Sequence, residues 1–281
     1  MPTKTADTTA TPPSAAGMPD VQGFADLRNV PIDRVGVKNI RYPITLKCPA
    51  TGGVQHTVAR VNMFVGLPHY QKGTHMSRFL EVLNKHHEHL RSDQIMDVCR
   101  DMKKRLEAKE AHLELAFPYF IHKKAPVTKS EGMIDIEVTF EATCGGDTNE
   151  DQFIMGLKIP ATSLCPCSKE ISAYGAHNQR CEMEVRIQFH PGKYMWIEDV
   201  FAMVEKCASA PVYAVLKRPD EKFVTEEAYD NPKFVEDIVR DLALALNTEK
   251  RIAWYKVTSE NFESIHNHNA YASIERDKRK P

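Results

Sequence analysis

Apolar residues along this chain recur with two periods, and the order in which the periods alternate predicts an architecture. Residues 54–67 alternate, with Thr57, Ala59, Val61, Met63 and Val65 on one side and His56, Arg60 and Asn62 on the other. Residues 39–46 read as a strand before them, across a Thr51-Gly52-Gly53 turn, so the pair predicts a hairpin. The period then becomes helical. Met76, Phe79, Leu80, Leu83 and Leu90 form one stripe, and Ile95, Val98, Met102 and Leu106 a second, started by Ser92 or Asp93. Alternation returns at Leu113, Leu115, Phe117, Tyr119 and Ile121, and again at Ile134, Ile136, Val138 and Phe140 against Asp135, Glu137, Thr139 and Glu141. The first half therefore reads ββααββ.

After a Cys144-Gly145-Gly146-Asp147 turn signal the order recurs. Strands are predicted at 153–159 and through Cys181, Met183, Val185, Ile187 and Phe189. Ile197, Val200, Phe201 and Val204 make a helical stripe, and Asn231-Pro232 precedes a helix carrying Val235, Ile238, Val239, Leu242 and Leu246. Strands at 252–259 and 269–274 close the pattern. Two tandem ββααββ units, 36–146 and 147–281, predict an α+β fold of antiparallel sheets with helices on one face. Isolated four-stranded sheets leave edges to be paired, so the units are expected to join and the chain to form a homo-oligomer. Residues 1–35, rich in Thr, Ala, Pro and Ser, are expected to form a disordered tail.

Charge narrows the functional classes. Lys and Arg number 37 against 38 Asp and Glu, a net charge of -1, which argues against a general nucleic-acid binder or a polybasic membrane protein. No apolar run reaches the roughly 18 residues of a membrane helix, and the first residues lack the apolar block of a secretory signal. Seven cysteines, unevenly spaced, do not read as a disulfide scaffold, so a reducing cytoplasm is expected.

Two segments carry candidate chemistry. Ser163-Leu164-Cys165-Pro166-Cys167-Ser168 follows a strand and precedes a loop with Tyr174, Gly175, His177 and Asn178. Two thiols one residue apart, with Pro between them, cannot both be core residues of an alternating strand. A thiolate and the His177 imidazole suit a zinc-type cation, although a turn with an idle thiol has the same pattern. In Glu263-Ser264-Ile265-His266-Asn267-His268 the two imidazoles share a face if the segment is extended, which suits one ion or substrate; exposed imidazoles at the start of a polar strand are the alternative. His86-His87-Glu88-His89 lacks the His-Glu-x-x-His spacing and reads as a solvated helix face. Glu236 and Arg240 read equally as a surface ion pair. Glu81 beside Leu80 is ambiguous, and Glu221 lies in what reads as a polar loop, Arg218 to Lys222, between two helices.

With Leu164-Cys165-Pro166-Cys167-Ser168-Lys169, Gly175-Ala176-His177-Asn178-Gln179-Arg180, Lys72-Gly73-Thr74-His75-Met76-Ser77-Arg78-Phe79 and Ser264-Ile265-His266-Asn267-His268 in view, the sequence resembles the type IB GTP cyclohydrolases. The resemblance spans about Val21 to Ile274. It implies a bimodular tunnelling fold, a homotetramer with sites between subunits, and conversion of GTP to 7,8-dihydroneopterin triphosphate and formate. It also implies a divalent metal, Zn²⁺ or Mn²⁺, near Cys165, His177 and Glu221, with His266 close by. Cys167, His266, His268 and Glu236 then become candidates for proton transfer. Glu81 is the first choice and Glu236 the second for a buried carboxylate gripping the guanine, with Glu263 beside it. Lys72, His75, Arg78, Lys169, Arg180 and Arg218 are available cations for the triphosphate. A deazaguanine nitrile reductase of the same fold, using NADPH, and a non-catalytic metal or nucleotide binder are the competing classes. Absence of a Glu-Ser-Lys-Ser type motif counts against the reductase.

Overall fold

A computed structural model describes residues 19–48, 52–87, 92, 94–146 and 151–280. The first hairpin is β1 (Ile32–Cys48) and β2 (Gly53–Leu67), in the register Tyr42↔Ala59. Helices α1 (Met76–His86) and α2 (Ile95–Arg105) follow, then β3 (Glu110–Lys124) and β4 (Glu131–Gly145). The second half runs β5 (Gln152–Leu164), α3 (Pro166–Ile171), β6 (Asn178–Phe189), α4 (Ile197–Glu205), β7 (Ala210–Pro211), α5 (Arg218–Asp230), α6 (Val235–Thr248), β8 (Ile252–Asn261) and β9 (Ala270–Asp277). The expected order is present twice, with α3, β7 and α5 added in the second half. Periodicity did not carry these: β7 has two residues, α3 is under two turns, and α5 buries only Asp220 and Ala228.

All strands form one antiparallel sheet in the order β1-β2-β3-β4-β5-β6-β8-β9, with β7 on β5. The halves join where β4 pairs with β5 through Phe140↔Met155. Alternate strand residues, such as Val61, Met63, Leu113, Phe117, Val138, Leu157, Met183, Val185 and Tyr255, turn to one face and pack under the helices. Helix α2 contributes Ile95, Val98 and Met102 and α6 Ile238, Leu242 and Leu246, as the stripes predicted, whereas α1 buries Phe79, Val82 and Leu83 and leaves Met76 of its expected stripe exposed. The result is one continuous core beneath α1, α2, α4 and α6, with a small second cluster of Leu164, Ala210 and Ala228 under α5.

Strand direction gives the sheet two ends that matter for function. Leu164, Asn178 and Asn261 lie at one end, through the pairs Leu164↔Asn178 and Cys181↔Asn261. Leu67, Ala111, Cys144 and Gln152 lie at the other, through Val65↔Ala111, Ala111↔Cys144 and Thr143↔Gln152.

Of the tail expected to run to residue 35, residues 1–18 lie outside the described residues, as do Thr51, Glu88, His89, Leu90, Asp93 and Asp147 of the segments discussed above. Residues 19–31 are not loose. A short 3-10 turn at Val21–Gly23 leads a segment held to the loop before α1: the Asp26 amide donates to the Tyr70 carbonyl at 3.0 Å, and the Lys72 amide to the Phe24 carbonyl at 3.0 Å. Backbone bonding orders a stretch whose composition has little apolar area to bury. Among the described residues no helix is long and apolar enough to cross a membrane.

Candidate functional site

The thiol segment begins where β5 stops. Pro166 has no amide to extend the ladder but suits the first turn of a helix, and it opens α3 directly after Cys165. Cys165 caps that helix, its Sγ accepting from the Ser168 amide at 3.4 Å while the Ser168 hydroxyl donates to the Cys165 carbonyl at 3.1 Å. The chain turns back through Gly175, at φ 110, a left-handed value that glycine adopts without steric cost. The Cys165 amide then donates to the His177 carbonyl at 3.1 Å, so thiol and imidazole segments are neighbours. Cys165 is half-buried and Cys167, the second residue of α3, is exposed.

The second segment folds onto the first. His177 Nδ1 lies 2.8 Å from Gln179 Oε1 and 3.3 Å from the Ser264 hydroxyl. Gln179 Nε2 donates to Glu263 Oε1 at 3.3 Å, so the loop between β8 and β9 meets the start of β6. His266 and His268 are exposed on that loop, their rings stacked with centroids 5.0 Å apart.

Glu221 is in the first turn of α5, not in a loop as the run of charges suggested. Helix spacing puts it on one side with Val224 and Ala228, the residues that pack with Leu164 and Ala176, so Glu221 ends the side of α5 that faces the thiol segment. Asp220, fully buried beside it, fixes the helix start: its carboxylate accepts from the amides of Val127, Thr128 and Lys217 at 2.8 to 2.9 Å and from the Thr128 hydroxyl at 2.6 Å. Glu236 is exposed in the first turn of α6, three residues after Lys233, which is tied to the end of β5. The Lys233 amide donates to the Leu164 carbonyl at 3.0 Å, and Ser163 donates to the Lys233 carbonyl at 2.9 Å. Arg240 pairs with Asp237 at 3.4 Å and not with Glu236, which removes the surface-pair reading of Glu236.

Other candidates lie elsewhere within the chain. His75 and Arg78 stand at the start of α1, reached from the Leu67 end of the sheet, opposite Cys165. His75 pairs with Asp20 at 3.4 Å, and Arg78 donates to the Arg105 carbonyl at 3.5 Å. Glu81 is 48% exposed and bound to Arg105, so it is not the buried carboxylate expected of a guanine anchor. Arg180 is exposed beside Gln179, and Lys169 donates to the Tyr229 carbonyl. His86 is half-buried and pairs with Asp101 at 2.8 Å, so it is not the solvated helix residue that the run suggested. Among the described residues no three His, Cys, Asp or Glu side chains gather closely enough to hold one ion. The two residues that sequence reasoning missed are Gln179 and Ser264. Gln179 was within reach, since it stands two places after His177 at the start of a strand and so shares its face.

Helix α5 also meets a separate group that is largely buried. Lys123, its side chain 8% exposed, is bonded to Glu205 and donates to the Val212 carbonyl at 2.7 Å. Glu227 is half-buried near them, and its buried Oε2 has no hydrogen-bond partner among the described residues. Burial and the Glu205 charge push the Glu227 carboxyl above its ordinary value of 4.5, against the pull of Lys123. The folded chain therefore holds that proton more tightly than the unfolded chain, and stability falls as pH rises from about 4.5 through the raised value. Glu227→Gln is expected to raise the melting temperature modestly above that window and to leave it unchanged below, because it removes a charge whose Oε2 is buried without a partner, an effect that partial exposure to solvent keeps small. Thermal melts at pH 4 and pH 8 test this; an equal shift at both would contradict it.

A sequence model of the type I GTP cyclohydrolase folE2 family matches residues 18–272. GTP cyclohydrolase FolE2 of Geotalea uraniireducens is 53% identical over 262 residues, covering 93% of this chain and 94% of that protein. The protein of the same name from Magnetococcus marinus is 56% identical over 256 residues, covering 91% and 95%. Among solved structures, a uricase from Bacillus fastidious superposes with a TM-score of 0.53 at 11% identity, covering 88% of this chain and 94% of that one. That likeness concerns the fold alone, which is the tunnelling fold.

Proposed function

The chain belongs to the type I GTP cyclohydrolase folE2 family, and from that premise we propose that it converts GTP and water to 7,8-dihydroneopterin 3'-triphosphate and formate. The observation that carries the site assignment is the closure of Cys165 on His177, with the Glu263–Ser264 loop folded onto the same imidazole. The motifs quoted above support the narrower type IB label and a soluble cytoplasmic enzyme at the first step of folate and tetrahydropterin synthesis.

The donors available suit a divalent cation of borderline softness. Cys165 offers a thiol, His177 keeps Nε2 open because Nδ1 faces Gln179, and no hydrogen bond or ion pair engages the Glu221 carboxylate among the described residues. Cys165, His177 and Glu221, which do not yet converge on one point in this structure, would close on the ion when it binds, with His266 on the adjoining loop; Zn²⁺ and Mn²⁺ are the metals proposed. Such an ion, when bound, supplies a nucleophile for guanine C8 at neutral pH by lowering the pKa of water from 15.7 towards about 7. His266 and His268, exposed and unconstrained, accept and return protons during ribose opening and pterin closure, and Cys167 stands close enough in sequence to assist. Glu236 is preferred to Glu81 as the group that accepts the guanine N1 and exocyclic amine protons, because Glu81 is engaged by Arg105 whereas Glu236 opens a helix whose preceding residue Lys233 is bonded to Leu164. Lys169, Arg180 and Arg218 offer charge to the triphosphate. His75 and Arg78 join from a neighbouring copy, with β1 and β9, each paired on one side only, as the edges that assembly into a homotetramer covers.

Incubating metal-loaded protein with GTP should release formate and a pterin that fluoresces after oxidation. Chelation should abolish both products while the circular dichroism stays native, because the proposed ligands come from separate segments of an already packed fold. Mn²⁺ and Zn²⁺ should restore activity to different extents. Continued formate release by the chelated protein would reject the metal assignment, and unfolding would make the metal structural.

A further inference from the structure

The bond between His177 and Gln179 decides more than ring position. Gln179 is 8% exposed at the start of β6, and its amide is engaged at both ends. A Glu263 carboxylate only accepts hydrogen bonds, so the Gln179 atom 3.3 Å from Glu263 Oε1 is the Nε2 donor. That orientation turns Gln179 Oε1, a pure acceptor, towards His177 Nδ1 at 2.8 Å. The imidazole proton must therefore sit on Nδ1, and the Ser264 hydroxyl, 3.3 Å from the same nitrogen, accepts from it as well. The chain Glu263–Gln179–His177 runs in one hydrogen-bond direction.

We propose that Gln179 is a positioning residue: held by Glu263, it fixes the His177 proton on Nδ1 and leaves the Nε2 lone pair as the nitrogen offered to a metal ion. Its consequence for metal binding rests on the metal reading given above. A ligating imidazole whose other nitrogen donates to a fixed acceptor is held in one tautomer and one ring orientation, and losing such a partner costs about 10- to 100-fold in metal affinity. The arrangement gives Glu263 a task in the resting protein apart from substrate.

Two readouts on Gln179→Leu, a substitution of similar volume, test this. The first is the ring ¹⁵N pattern of His177 in metal-free protein labelled at histidine, assigned with His177→Gln. The wild type should show the Nδ1–H form, and Gln179→Leu should lose it. The second is Zn²⁺ affinity by competition with a chromogenic chelator, expected to fall about 10- to 100-fold in Gln179→Leu. The double variant Gln179→Glu with Glu263→Gln keeps an acceptor opposite His177 and moves the donor to position 263, so it should restore both. An Nε2–H form in the wild type, or an unchanged tautomer in Gln179→Leu, would overturn the proposal. A switched tautomer with unchanged Zn²⁺ affinity would uphold the hold of Gln179 on the ring and reject His177 as a metal ligand.

Discussion

Cys165→Ala is expected to abolish formate release from GTP, by roughly a thousand-fold or more, which corresponds to about 4 kcal/mol of lost transition-state stabilisation. The fold should survive. Cys165 is half-buried and stands outside the core; among the described residues its Sγ accepts one hydrogen bond, from the Ser168 amide at 3.4 Å, and the backbone bond to His177 that closes the loop does not involve the side chain. Removing the thiol should thus strip one proposed metal donor and leave strand, helix and loop in place. Metal content measured beside activity separates the causes, since a falling metal stoichiometry with native circular dichroism is the signature of a lost ligand. Cys167→Ala, exposed on α3, should retain most activity. An active Cys165→Ala with undiminished metal would remove the thiol from the mechanism.

The second large effect concerns assembly. Arg78 and Cys165 lie at opposite ends of the sheet within one chain, yet both belong to motifs of the same proposed site. If a neighbouring copy supplies Arg78, then Arg78→Ala and Cys165→Ala proteins, each nearly inactive, should complement when unfolded together and refolded as a mixture. Random assortment at equal concentrations restores about a quarter of the sites, because a site is whole only when each intact half meets the other. A mixture no more active than its components would place every essential residue of the site within one chain. Light scattering on the same samples checks the premise, since an active monomer of 31.9 kDa would contradict it directly.

Much of this architecture was legible before any coordinates. The strand alternation of Leu113 to Ile121 and the helical stripe of Val235 to Leu246 are local patterns, set by which residues must leave water, and the fold keeps both. The thiol segment was legible for a similar reason, since Pro166 between two cysteines is incompatible with a continuing strand. Helix α5 was not, because a helix that buries little besides Asp220 and Ala228 has no apolar stripe to read; its start depends on amides of Val127 and Thr128 some ninety residues earlier. Glu81 shows the converse. Its place beside Leu80 left it ambiguous and the resemblance made it a buried anchor, but only the packing of α1 on α2 decides that it faces solvent and meets Arg105. The sequence by itself determined the periods, the order of elements and the residue types at the thiol and histidine segments. Tertiary structure decided which of them meet, that Gln179 and Glu263 set the proton on His177, and that His75 and Arg78 lie at the far end from Cys165. Periodicity reports the environment of each residue one at a time, whereas a site depends on the register and direction of strands far apart in the chain, which only the closed sheet settles.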